Sequence, residues 1–172
     1  MSVSADARVI ELRDLDSSRV EDLVDCYGVV LVNIQSDRCI PGSHWGAPEA
    51  GLISNRLYAR ADTPAHSLLH ELSHYVCMTP ERRVLLDTNA GGSSDEESAV
   101  CYLQLLLADF LPPFGLARGM TDMDTWGYSF REGSTAAWFA GDGQCAQDWL
   151  LKRRLINAQN QPTWKLNDGE WG

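Results

Sequence analysis

The sequence has no C-x-x-C pair, and its cysteines are odd in number: Cys26, Cys39, Cys77, Cys101 and Cys145. That spacing gives neither a disulfide framework nor a cysteine-only zinc site, and it reads as the small, buried, reduced thiols of a cytoplasmic protein. Basic residues are scarce: 14 Lys+Arg against 24 Asp+Glu leave a formal net charge of −10 at pH 7. Such a field repels phosphate backbones and anionic headgroups, so nucleic acid and membrane are excluded as expected partners. No run approaches the roughly 18 apolar residues of a membrane span. Residues 1–6 lack the basic start and apolar stretch of a secretory signal. What remains is ordinary globular composition, 172 residues with 44% hydrophobic and 22% charged, enough for one well-cored domain.

Patterning along the chain predicts an α+β protein, with a small sheet early and helices after it. Residues 9–12 alternate as a short strand. Val20, Leu23, Val24 and Tyr27 mark one face of a helix begun by Asp16 or Ser17. Residues 29–34 form a continuous apolar run typical of a buried strand, 36–51 a Gly/Pro-rich loop, and 52–59 a hairpin or edge strand broken around Ser54 and Asn55. Thr63-Pro64 starts a helix, with the hydroxyl as N-cap, that runs to about Met78; Thr79-Pro80 repeats the signal and turns the chain. A second long helix is expected from Asp95 to about Leu111, ended by Pro112-Pro113. A looser region with Trp126 and Tyr128 precedes helical patterns near 133–140 and 144–157. One domain is thus expected over 1–158, followed by a tail over 159–172 that docks through Trp164 and Trp171.

Residues 66–74 read His-Ser-Leu-Leu-His-Glu-Leu-Ser-His, with H-E-x-x-H at 70–74. Residues four apart on a helix lie one above the other, so His70 and His74 can bind one zinc ion. Glu71 between them then reaches the water on the metal as general base. At about 100° per residue, His66 and His74 fall within about 40° of His70. Cys77 and Ser73 share that front, whereas Leu68, Leu69, Leu72, Tyr75 and Val76 occupy the back. A histidine-lined front with a greasy back favours metal ligation over satisfied core histidines.

A catalytic zinc ion needs a third protein ligand and an open position. No H-x-x-G-x-x-H continuation follows, but Asp95, Glu96 and Glu97 open the second helix. On its wheel Glu96 lies on the stripe of Ala99, Val100, Leu103, Leu107 and Phe110. Glu97 lies at the margin beside Gln104 and also fits a Ser94-x-x-Glu97 capping box. The wheel ranks Glu96 ahead of Glu97, with Asp95 behind both.

A strand, an H-E-L-x-H helix and a second helix carrying Glu96, Ala99, Tyr102, Leu106 and Leu107 resemble the ImmA/IrrE-type zinc metallopeptidases of the gluzincin group. Ser73 stands where that pattern has Gly, Val100 where it has Asn, and Ala108-Asp109 where a Pro commonly follows Leu-Leu, so the chain resembles a distant member. The resemblance covers residues 52–111. It implies a zincin-like fold, with an edge strand beside the H-E-x-x-H helix, and zinc on His70, His74 and Glu96. It further implies that Glu71 is the base hydrolysing peptide bonds of a protein or peptide substrate. A zinc-binding regulatory or interaction module with little turnover is the alternative. His66, the loop residue His44, the possible donors Tyr128 and Arg131, and a groove lined by Trp126 and Trp138 are secondary candidates.

Overall fold

The computed structural model describes residues 8–170. Among them the chain is a small α+β protein of seven helices and one three-stranded mixed sheet. The helices are α1 (Ser17–Asp25), α2 (Ala65–Cys77), α3 (Pro80–Val84), α4 (Ser94–Ala108), α5 (Gly115–Trp126), α6 (Thr135–Ala140) and α7 (Gly143–Lys152). The strands are β1 (Val30–Asn33), β2 (Gly51–Ile53) and β3 (Arg56–Ala59), in the order β1-β3-β2. β1 runs parallel to β3 with Leu31 opposite Leu57, and β2 pairs antiparallel with β3 through Leu52 and Leu57. The expected hairpin is present. The outer side of β2 is already engaged, because Leu52 N donates to Gly42 O while Thr88 N donates to Leu52 O.

The core lies between the sheet and two long helices. Leu68, Leu69, Leu72 and Val76 on α2 meet Leu52 and Leu57 from the sheet and Ala99, Val100, Leu103 and Leu107 from α4; all are fully buried. The greasy back of α2 therefore does what its periodicity predicts. Its front is buried as well: His66, Ser73, His74 and Cys77 are almost inaccessible.

Several local expectations are corrected. Residues 9–12 form no strand. They lie extended along the start of α2, with Leu12 N on Thr63 O and Ala65 N on Ile10 O, then turn as a 3₁₀ segment at Leu12–Asp14. Thr63 does not cap α2: its hydroxyl accepts from Arg60 N in the preceding turn, and Pro64 occupies the cap position. The region before Trp126 is not loose but the helix α5. Its Gly119 weakens the helical signal, yet a Cβ there would come within 3.2 Å of Leu105 Cδ2 and 3.5 Å of Ala108 Cβ. Glycine lets α5 approach α4 closely. The final helix stops at Lys152, earlier than its pattern suggests. Of the five free cysteines only Cys77 and Cys101 are buried; Cys26, Cys39 and Cys145 are exposed.

The described part of the tail docks. Trp164 packs against Tyr27 and Phe110, with ring centroids 5.5 and 4.9 Å apart. Asn167 closes the end of α2: its backbone N donates to Val76 O, and its side-chain amide donates to Cys77 O at 2.8 Å. Trp171 lies outside the described residues. No helix among the described residues is long and apolar enough to cross a membrane.

Candidate metal centre

α2 and α4 pack against each other, and their facing sides bring three donor groups together. His70 Nε2 and His74 Nε2 are 3.1 Å apart. Glu97 Oε1 stands 3.0 Å from the first and Oε2 3.2 Å from the second. His70, His74 and Glu97 are the one such metal-ligand group of His, Cys, Asp and Glu among the described residues. A tetrahedral ion with ligand bonds of about 2.0–2.1 Å holds its donors about 3.3–3.4 Å apart, so zinc fits this set with small adjustment. The donor chemistry agrees, being two imidazoles and one carboxylate.

Glu97, not the Glu96 expected as third ligand, is the carboxylate that stands beside the two histidines. Glu96 is buried and points the other way, accepting two hydrogen bonds from Arg82 Nη1 at 2.9 and 2.7 Å. Arg82 Nη2 also donates to the carbonyls of Ala90 and Gly91, so one guanidinium fixes both Glu96 and the loop ahead of α4. Gly92 leaves the space: a Cβ there would lie 2.6 Å from Glu96 Oε1. The N-cap is displaced by one residue too, and no capping box forms, because the Glu96 carboxylate is turned to Arg82. Ser93, not Ser94, is the N-cap, and its hydroxyl accepts from Glu96 N at 3.2 Å. Glu97 is thereby free of the cap and turns to the histidines.

Burial and neighbouring charge set the protonation of these groups. Desolvation pushes His74 down to about 3, leaving a neutral imidazole with a lone pair. Burial would lower His70 as well, but Tyr128, Cys101 and the Glu97 carboxylate outweigh it and raise it well above 6.5. The position between His70 and Glu97 thus attracts positive charge. Burial alone would raise the Glu97 carboxyl; the hydrogen bond and charge of His70, with His74, hold it below its usual value. Glu71 lies beside the centre, and desolvation pushes its carboxyl up to about 7, the range suited to proton transfer at neutral pH.

The centre opens into a cleft of about 690 Å³ whose lining includes Trp45, Glu49, His70, Glu71, Glu97, Trp126 and Tyr128. A smaller recess of about 230 Å³ extends past His74 to His44 and residues 88–91. Ser67 Oγ accepts from Ala50 N and ties the loop before β2 to α2. Across the cleft, Trp126 Nε1 donates to Glu49 Oε1 at 2.8 Å, joining the two rims. Trp45, 81% exposed, stands on the loop side.

The secondary candidates separate. His66 is buried at the start of the stripe, packed edge-on against Tyr128, and burial pushes it down to about 3. His44 is an exposed loop residue that also borders the recess. Tyr128 lines the cleft, whereas Arg131 pairs with Asp142 in an exposed position. Trp126 and Trp138 do not share a groove: Trp138 lines a separate one of about 940 Å³ near α6 and α7. No protein-family model, no curated protein and no solved structure matches the chain.

Proposed function

We propose that this protein is a zinc-dependent metallopeptidase of zincin-like type, a distant relative of the ImmA/IrrE peptidases, acting on a protein or peptide substrate in the cytoplasm. The observation that carries this reading is the convergence of His70, His74 and Glu97 within 3.0–3.2 Å of one another, on the H-E-x-x-H helix and the next long helix, beside a buried Glu71. Zinc bound there supplies Lewis acidity toward a peptide carbonyl and a water molecule. Glu71, at its carboxylate, would take the proton of the attacking water and hand it to the leaving amine, a task suited to a carboxyl held near 7. Trp45 on one rim and Trp126 with Tyr128 on the other offer flat apolar walls to an extended chain. Because the outer side of β2 is engaged by Gly42 and Thr88, the substrate is held by these walls rather than added to β2 as a strand.

The test pairs wild type with Glu71→Gln. Purified without chelator, both are expected to carry about one equivalent of zinc, and wild type alone to cleave members of a cytosolic protein panel. Less than about a tenth of an equivalent in wild type would overturn the metal reading. Full zinc with equal, absent cleavage in both would leave a zinc-binding regulatory module.

A further inference from the structure

Behind the metal centre lies a buried polar cluster that the hydrolytic chemistry does not use. Gln104, on α4 two turns beyond Glu97, is 2% exposed. One end of its amide is 2.6 Å from His70 Nδ1, and the other is 3.4 Å from the backbone carbonyl of His66. Tyr128 sits against the same cluster, its hydroxyl 3.4 Å from His66 Nδ1.

The identities of these partners fix the direction of the two bonds made by the Gln104 amide. A backbone carbonyl can only accept, so the group facing His66 O is the Gln104 NH₂. The amide oxygen therefore faces His70. An amide oxygen can only accept, so His70 Nδ1 must carry a hydrogen. With Nδ1 so committed, the remaining lone pair of the neutral ring is on Nε2, the atom that faces His74 and Glu97. A free imidazole can carry its proton on either nitrogen, and a proton on Nε2 would block ligation. We propose that Gln104 is the positioning residue of the metal centre, holding His70 in the one tautomer and ring orientation that present Nε2 to the ion. The proposal rests on the reading of His70 as a ligand. His74 has no such support, since its buried Nδ1 lacks a partner among the described residues, and the tautomeric control falls on His70.

Two variants and two readouts test this. Gln104→Met keeps length and burial but cannot accept a hydrogen bond at that point, whereas Gln104→Glu keeps an acceptor. Competition for zinc against a chromophoric chelator is expected to show Gln104→Met weakened about 10–100-fold and Gln104→Glu recovering most of that loss. Nitrogen–proton correlation spectra of the metal-free protein are expected to show a slowly exchanging, downfield Nδ1–H on His70 in wild type and in Gln104→Glu, but not in Gln104→Met. That proton is present whether the ring is neutral or protonated. Its absence from wild type, or unchanged zinc affinity in a folded Gln104→Met, overturns the proposal. An intact Nδ1–H signal in a protein that takes up no zinc would instead overturn the metal reading and leave the tautomer assignment standing.

Discussion

Adjacent glutamates at the start of α4 make opposite predictions, and the pair decides how the centre is built. In Glu97→Ala both oxygens facing the histidines are lost, at 3.0 Å from His70 Nε2 and 3.2 Å from His74 Nε2. Protein zinc sites with four ligands bind with about 10–16 kcal/mol, or about 2.5–4 kcal/mol per ligand, so losing one of three should weaken zinc about 10²–10³-fold. Its effect on the metal-free fold should be small, because the Glu97 side chain is 45% exposed. Glu96→Gln is the converse. It leaves the three donors in place but removes the charge that Arg82 Nη1 holds twice, at 2.9 and 2.7 Å. Breaking a wholly buried pair costs about 3–5 kcal/mol. Arg82 is 36% exposed and keeps its bonds to Ala90 and Gly91, so about 1–3 kcal/mol is the appropriate scale. For a chain of this size that lowers Tm by roughly 2–12 °C. Chelator competition measures the first effect and thermal melting without metal the second. If Glu96→Gln loses zinc while Glu97→Ala retains it, the geometry described above is wrong and the register implied by the family resemblance is right.

Three further outcomes are expected. Burial raises Glu71 from 4.5 to about 7, so the folded chain holds that proton more tightly than the unfolded chain does. The stability it contributes is complete below about pH 4.5 and lost as pH rises through 7; metal-free Glu71→Gln should be up to about 3 kcal/mol more stable than wild type at pH 8 and equal to it at pH 4, read by urea titration. His70 is raised well above 6.5, so zinc must displace its proton at neutral pH. Calorimetry in buffers of different ionisation enthalpy should register about one proton released per zinc, with affinity increasing as pH rises; no buffer dependence would contradict this. Gly92→Ala should drive its Cβ into Glu96, 2.6 Å away, costing about 1–3 kcal/mol by overpacking; an unchanged Tm would mean that the loop yields freely.

The residues of the candidate centre were unequally legible in the sequence. His70 and His74 could be read because a four-residue spacing on one helix is independent of tertiary structure. The greasy back of α2 followed from the same periodicity. Choosing between Glu96 and Glu97 required the rotation of α4 relative to α2, and Arg82, on a separate short helix, sets how Glu96 is held. No wheel of α4 alone contains that information. The wheel did put Gln104 beside Glu97, and the two indeed flank His70 on opposite ring nitrogens. α5 escaped notice because Gly119 lowers helical propensity while serving its contact with α4, a benefit visible only once the helices are paired. Residues 9–12 alternated like a strand, but the main-chain partners of Ile10 and Leu12 at the start of α2 form no ladder.

The hydrogen bonds from Asn167 to Val76 and Cys77 have a consequence for the order in which the molecule becomes complete. The candidate donors His70, His74 and Glu97 lie within residues 70–97, whereas the amide that closes the last turn of α2, the helix of the two histidines, arrives 90 residues after Cys77. During synthesis from the N-terminus, the stretch holding these candidate donors emerges long before the latch on α2. A ribosome-bound chain cut short of Asn167 would carry all three donor residues, with the final carbonyls of the histidine-bearing α2 still open to water.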